Sequence, residues 1–181
     1  MAPDRIVYTD TMTAFVALLR AVNVGGTRKL LMSDLTLMCE AAGFVAVRTY
    51  IASGNVVFAS EATEAQVKAT LEHSLGLHAG KPVGVLVRTA AEMAEVLAQN
   101  PFPAAPRNRT VAIFLDRPPP ADALNGLSGQ KDEKVRLGTR EIYVAYGDGM
   151  AKSKLKIPAA KAGTARNINT VAKLAAMAAQ L

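Results

Sequence analysis

The sequence predicts an α+β fold made of two ferredoxin-like βαββα halves that are related by duplication. Short apolar runs without alternation, at 14–19 and 111–115, are typical of strands covered on both faces. Apolar residues with helical spacing follow each run. Hairpin signals then recur at the same place in each half, at Ser53-Gly54-Asn55 and at Gly138-Thr139.

The first half is predicted to span residues 12–88, after an N-terminal extension of residues 1–11. After the strand at 14–19, apolar residues recur from Leu35 to Ala42 at i, i+3, i+4 and i+7, which predicts a helix. The next elements are two strands, a helix and a strand, at 47–51, 56–58, 63–75 and 83–87. The last strand is apolar on both faces although this element order makes it a sheet edge, so we expect the second half to cover it.

The second half is predicted to span residues 89–181. It opens with a helix at 90–99, which ends before Pro101. A βαββα repeat follows, with elements at 111–115, 121–127, 135–137, 142–146 and 169–180. This order matches residues 15–75 element for element, which indicates an ancient duplication.

The charge of the chain is concentrated at its C-terminal end. The net charge is +6, and residues 150–181 contribute all of it, with six Lys or Arg and no Asp or Glu. A basic segment of this kind attracts anions, although a solvated helix face with a basic loop gives the same composition. The segment contains no Phe, Tyr or Trp, so a nucleic acid partner would be held by its phosphates and not by base stacking.

The composition also predicts where the protein resides. Cys39 is the single cysteine, which excludes an internal disulfide framework and a multi-cysteine metal site. No apolar run is long enough to span a membrane, and no signal-peptide pattern precedes the first strand. We therefore expect a cytoplasmic protein with no membrane partner, whose oligomeric state the sequence leaves open.

Three separated motifs resemble a known bacterial family. They are Ala-Leu-Leu-Arg-Ala-Val-Asn-Val-Gly-Gly at 17–26, Thr-Tyr-Ile-Ala-Ser-Gly-Asn-Val-Val-Phe at 49–58, and Ser-Lys-Leu at 153–155 followed by Arg-Asn-Ile-Asn-Thr-Val-Ala-Lys-Leu at 166–174. In this order they resemble the domain family of unknown function DUF1697, over nearly the whole chain from Met12. The resemblance implies a duplicated ferredoxin-like fold and no particular activity. By the same resemblance, Ala21, Ala165 and Ile168 replace the glycine, threonine and tryptophan usual in the family.

Candidate ligand-binding residues follow the first strand. Asn23, Gly25, Gly26 and Lys29 belong to a loop whose backbone amides and positive charge suit an anion. A plain turn that requires positive φ explains the same residues. Arg20 ends a buried strand, where a long charged side chain needs a partner, either an ion pair or a ligand.

A second group of candidates lies on the hairpin and near the C-terminus. Ser53 and Asn55 are first of all turn residues. Asn167 or Asn169 is suited to cap the last helix, and Arg166 offers a planar fork for phosphate or carboxylate. Ser153 and Lys154, in the preceding loop, are predicted to close on the same point. A capped helix with solvated lysines is the alternative.

No motif specifies a reaction. The loop at 23–29 fits neither the Walker pattern nor G-x-G-x-x-G, so we expect no cofactor and no metal and leave catalytic residues unassigned. The sequence favours a binding module for a small phosphorylated or carboxylated ligand at the cleft between the halves. It leaves open an interaction or nucleic-acid-associated protein that uses the basic C-terminal patch, and an enzyme of unidentified reaction that uses Arg and Lys electrostatics.

Overall fold

The computed structural model describes residues 11–24 and 29–181 and confirms the α+β class. The described residues form two four-stranded antiparallel sheets and four α-helices. Apart from Thr11, the predicted extension at 1–11 lies outside the described residues.

The first sheet is covered on one face by two helices. Its strands are β1 (Thr13–Leu19), β2 (Val45–Thr49), β3 (Asn55–Ser60) and β4 (Val85–Thr89), in the order β2-β3-β1-β4. The central strands are β1 and β3, whose apolar runs at 15–19 and 56–59 are buried on both faces of the sheet. Helices α1 (Met32–Ala41) and α2 (Glu64–Ala79) pack on Phe15 and Phe58 through buried Leu35, Cys39, Val67, Leu71 and Leu75.

The second sheet repeats this order. Its strands are β5 (Thr110–Phe114), β6 (Lys134–Leu137), β7 (Glu141–Ala145) and β8 (Thr164–Asn167), in the order β6-β7-β5-β8. In place of α-helices, its outer face carries loops with short 3-10 segments at Ala123–Gly126 and Pro158–Ala160. These loops contribute Leu124, Leu155 and Ile157 to a smaller core on that face.

Helices α3 (Ala90–Ala98) and α4 (Ile168–Ala178) pack against each other between the two sheets. One core joins Met93 and Leu174 of these helices to Leu18 of the first sheet and to Phe114 and Tyr143 of the second. The predicted cap of the last helix is confirmed, because the Asn167 side chain accepts a hydrogen bond from the Thr170 amide at 2.9 Å.

The prediction for the second half is wrong in two places. The short helix at 121–127 is a 3-10 segment, and the strand β8 stands between β7 and the last helix. β8 was missed because its sequence, Thr-Ala-Arg-Asn at 164–167, has no apolar run. It is a short edge strand that is held in place by pairing with β5 and by the contacts of Arg166. The last helix therefore follows β8 as α3 follows β4. The covering of β4 is confirmed, since Val85, Leu86 and Val87 are buried.

Candidate functional site

Each sheet carries a buried arginine at the same position. Arg88 of β4 lies opposite Val16 of β1, and Arg166 of β8 lies opposite Ala112 of β5. Each arginine directly precedes the N-cap residue of the helix that follows. Because the two sheets share their strand order, these two positions are equivalent.

The Arg88 side chain reaches from the first sheet into the second. It is 1% exposed. Its Nε donates to Glu141 Oε1 at 3.1 Å, and Nη2 donates to the carbonyls of Leu115 and Arg140 at 2.7 and 3.0 Å. Its Nη1 donates to the carbonyl of the preceding Val87 at 2.9 Å. We call this set of acceptors the Arg88 socket.

The Arg166 side chain makes the reverse crossing and is 8% exposed. Its Nε donates to Asn55 Oδ1 at 2.6 Å, and its Nη2 donates to the Leu19 carbonyl at 2.9 Å. The remaining acceptors are backbone or hydroxyl oxygens, at distances of 2.7–3.3 Å: Ser53 O, Gly54 O, Thr164 Oγ1 and Ala165 O. We call this set the Arg166 socket. All five N–H groups of Arg166 therefore have acceptors within the protein.

Three acceptors of the Arg88 socket have an equivalent in the Arg166 socket. Asn55 lies opposite Leu18 in the first sheet, as Glu141 lies opposite Phe114 in the second. Gly54 and Arg140 directly precede these two residues, and Leu19 and Leu115 directly follow their strand partners. Each sheet thus inserts one arginine among three equivalent acceptors of the other sheet.

The two sockets differ in charge. The Arg88 socket contains the Glu141 carboxylate, and the adjoining Arg140 forms ion pairs with Glu64 at 2.7 Å and Glu92 at 3.2 Å. Burial, together with the Arg140 charge, lowers the pKa of Arg88, while Glu141 opposes that effect. In the Arg166 socket, no carboxylate of the described residues forms an ion pair with the guanidinium. Burial alone lowers the pKa of Arg166 to about 10, so the group keeps its charge at neutral pH.

A second arginine, Arg20, lies next to the Arg166 socket. Its Nε donates to the Gly163 carbonyl at 3.1 Å, and its Nη2 donates to the Lys161 carbonyl at 2.9 Å. Its Nη1 makes no hydrogen bond to the described part of the chain, and Lys161 itself is exposed. Arg20 occupies the position that Asp116 holds in the second sheet, one residue beyond Leu115. This junction is therefore basic, whereas the junction at Arg88 is rich in carboxylates.

The structure brings together four of the predicted residues. Arg20, Ser53, Asn55 and Arg166 lie around the end of β1. Asn23 is close by, and its amide organises the loop: it donates to the Leu30 and Ala52 carbonyls, and its Oδ1 accepts from the Leu30 amide.

The other predicted residues do not join this group. Ser153 donates its hydroxyl hydrogen to Glu133, directly before β6, and β6 and β8 form opposite edges of the second sheet. Three strand spacings, about 14 Å, therefore separate Ser153 and its neighbour Lys154 from Arg166. Asn167 uses its side chain as a helix cap, and Lys29 is exposed. Gly25 and Gly26 lie outside the described residues.

Sequence reasoning missed Arg88 and Glu141, which form the matching socket. The signal for Arg88 was present, because Arg88 directly follows the apolar run at 83–87 just as Arg20 follows the run at 14–19. No sequence pattern identified Glu141, since its partner is 53 positions away along the chain.

A family model described as "Protein of unknown function (DUF1697)" matches residues 12–143. The chain belongs to the DUF1697 family. Its fold is similar to that of a solved structure described as conserved bacterial protein SP0830 from Streptococcus pneumoniae, with a TM-score of 0.77 and 26% sequence identity. The similarity covers 92% of this DUF1697 chain and 99% of the other chain. No curated protein matches the sequence.

The described part of this DUF1697 chain contains neither a membrane-spanning helix nor a cluster of metal ligands. No helix there is long and apolar enough to cross a membrane. Residues 11–24 and 29–181 also contain no group of three or more His, Cys, Asp or Glu side chains arranged to hold a metal ion.

Proposed function

We propose that the protein binds a small phosphorylated or carboxylated ligand at the junction of Arg20 and Arg166. One observation carries the proposal: two arginines from opposite sheets meet there with no carboxylate partner among the described residues, whereas the equivalent junction supplies Glu141. A buried cation without a counter-charge is costly, and a bound anion would offset that cost.

The two arginines have different roles in this proposal. Every N–H group of Arg166 is already hydrogen-bonded within the protein. Arg166 therefore attracts the anion through its positive charge and not through a direct hydrogen bond. Arg20 contacts the anion, because its Nη1 has no partner among the described residues. The exposed ammonium of Lys161 and the exposed hydroxyl of Ser53 are the neighbouring donors.

The proposal is for binding and not for catalysis. Among the described residues, the Ser53 hydroxyl oxygen accepts a hydrogen bond from the Asn55 amide at 3.0 Å, and no histidine hydrogen-bonds to it. A serine nucleophile needs such a base within hydrogen-bond reach. The cytoplasm is the compartment we propose, because the single cysteine is buried and unpaired, as is usual in reducing surroundings.

Isothermal titration with inorganic phosphate, pyrophosphate and citrate tests the binding, at constant ionic strength and pH 7. We expect at least one of these anions to bind the wild type. Arg20→Gln should weaken that binding at least tenfold, since a lost charged hydrogen bond costs roughly 1.5–3 kcal/mol. Arg48→Gln is the matched control, because Arg48 is exposed and its side chain hydrogen-bonds, within the described residues, only to Gln180, at 3.3 Å. Equal affinities of the two variants, or no binding by the wild type at millimolar anion, would overturn the proposal.

We further propose that the two halves are ferredoxin-like units that arose by duplication. The matching strand orders and the matching sockets support this. In the second unit, the 3-10 segments and loops stand where the first unit has α1 and α2. Since α3 and α4 follow equivalent strands, the repeat boundary falls after α3 on this proposal, and not at the sequence-based division between residues 88 and 89.

A further inference from the structure

A row of three lysines lies on the outer surface of the second half, away from the junction. Along residues 152–157, exposed Lys152, Lys154 and Lys156 alternate with half-buried residues. Ser153 and Ile157 have extended backbone angles, and in extended chain alternate side chains project to the same side. Lys154 and Lys156 therefore project to the same side, with about 6.6 Å between their attachment points, and Lys152 precedes them as the last residue of the 3-10 segment Met150–Lys152.

The row is fixed to the protein by the residues between the lysines. Leu155 and Ile157 pack into the core on the outer face of the second sheet. The Ser153 hydroxyl donates to the buried Glu133, and Lys156 and Ser128 exchange backbone hydrogen bonds of 2.8 and 3.2 Å. The lysine backbone is thus held in place before any partner binds, which reduces the entropic cost of binding.

The charge of the row is not neutralised within the described part of the chain. None of the three lysines forms an ion pair there, although Lys68 and Arg140 elsewhere do. The Glu133 carboxylate, which Ser153 of the row contacts, accepts from the Ser153 hydroxyl and from the Lys131 amide. The row therefore presents three uncompensated charges to an external partner.

We propose that Lys152, Lys154 and Lys156 bind the phosphate backbone of a nucleic acid, without recognition of base sequence. Three closely spaced positive charges on one short segment suit the regularly repeated phosphate groups of a nucleic acid strand. A lipid surface would instead call for apolar side chains beside the charges, and Leu155 and Ile157 point into the core. Residues 147–181 contain no aromatic side chain, so they provide no stacking platform for bases.

Fluorescence anisotropy with labelled 20-nucleotide single-stranded and 20-base-pair double-stranded DNA of two unrelated sequences tests the proposal. We expect binding at 50 mM salt that weakens steeply by 150 mM and is equal for the two sequences. The triple variant K152Q/K154Q/K156Q should bind at least tenfold more weakly at 50 mM salt. Its plot of log affinity against log salt should be less steep by 2–3, because each lost phosphate contact removes about 0.7–0.9 from the slope.

The matched control is K81Q/R107Q/K173Q, which removes the same charge at three exposed positions outside the row. It should bind DNA within about twofold of the wild type, with an unchanged salt slope. An equal loss in both triple variants would show that net charge alone drives binding, and would overturn the proposal. So would absence of DNA binding at 50 mM salt together with binding to vesicles that contain phosphatidylserine. Circular dichroism establishes that all three proteins are folded.

Discussion

Replacing Arg88 with methionine tests whether the sockets hold the two sheets together and whether their charges matter. Arg88 is 1% exposed and spans from β4 to three acceptors of the second sheet. Its removal leaves the Glu141 carboxylate, whose side chain is 4% exposed, without its cation. Removing one partner of a buried ion pair costs roughly 3–5 kcal/mol, so R88M should lose about that much free energy of unfolding.

The equivalent change at the other socket should be milder. Arg166→Met leaves carbonyls and the Asn55 amide without a donor, but no buried carboxylate. Charged hydrogen bonds contribute roughly 1.5–3 kcal/mol, and we expect a loss in that range for R166M. Arg48→Met, on the exposed face of β2, should change stability by no more than about 0.5 kcal/mol.

Equilibrium urea unfolding, followed by circular dichroism, measures these three variants, the single variant E141L and the double variant R88M/E141L. The double variant should recover about 2 kcal/mol relative to the sum of the single losses, within the range of roughly 0.5–3 kcal/mol for contacting residues. If R166M is destabilised as much as R88M, or if R88M and E141L are additive, the charge argument for the sockets fails.

Three further predictions concern the core and one turn. In urea unfolding, Gly54→Ala should destabilise the protein by about 1–3 kcal/mol more than Gly43→Ala. Both glycines have φ near +84°, but a Cβ at Gly54 would lie 2.7 Å from Val22, whereas a Cβ at Gly43 would meet open space. Equal losses of stability would contradict this. Burial raises the pKa of the Cys39 thiol to about 12, so a thiol reagent should modify it at pH 8 only as fast as the protein opens, and rapid labelling of the folded protein would refute the α1 register. Burial likewise raises the pKa of Tyr143, whose hydroxyl donates to the Val96 carbonyl at 2.8 Å. Because the phenol of the unfolded chain ionises first, near pH 10, the free energy of unfolding should be constant below about pH 10 and fall above it. Tyr143→Phe should reduce that fall.

Local patterns sufficed for the elements whose sequences are apolar or well capped. The central strands β1, β3 and β5 and the helix α2 follow from apolar residues in the sequence. The Thr63 and Gln66 capping box, which fixes the start of α2, is an observation of the structure. The strand β8 could not be found in this way, because Thr164–Asn167 is polar and forms a strand only through its pairing with β5. Arg166, which belongs to this strand, was selected as a candidate because it is an arginine near a helix start.

The candidate site was predictable in its members but not in their bonding. Arg20, Ser53, Asn55 and Arg166 were selected from the sequence, and they do meet. No local pattern indicates that Arg166 directs its Nε and Nη2 to acceptors of the other sheet, since each of those contacts spans more than 100 residues. Its Nη1 donates to Thr164 and Ala165 of its own strand. Long-range pairing of this kind depends on the packing of two sheets, which no local pattern encodes.

The difference between the two sockets is the strongest reason to look for a ligand at only one of them. The Arg88 socket shows that this geometry accommodates a carboxylate at the Glu141 position, 3.1 Å from the guanidinium. At the equivalent position the protein has Asn55, and where the second sheet has Asp116 the first has Arg20. Both differences make the Arg166 junction more positive, and both reduce the stability of the free protein, because like charges repel and a buried cation lacks its partner. Stability of the fold alone favours the carboxylate found in the other socket. A bound anion would restore the missing charge, so the protein should gain stability on anion binding at this junction and lose that gain in Arg20→Gln.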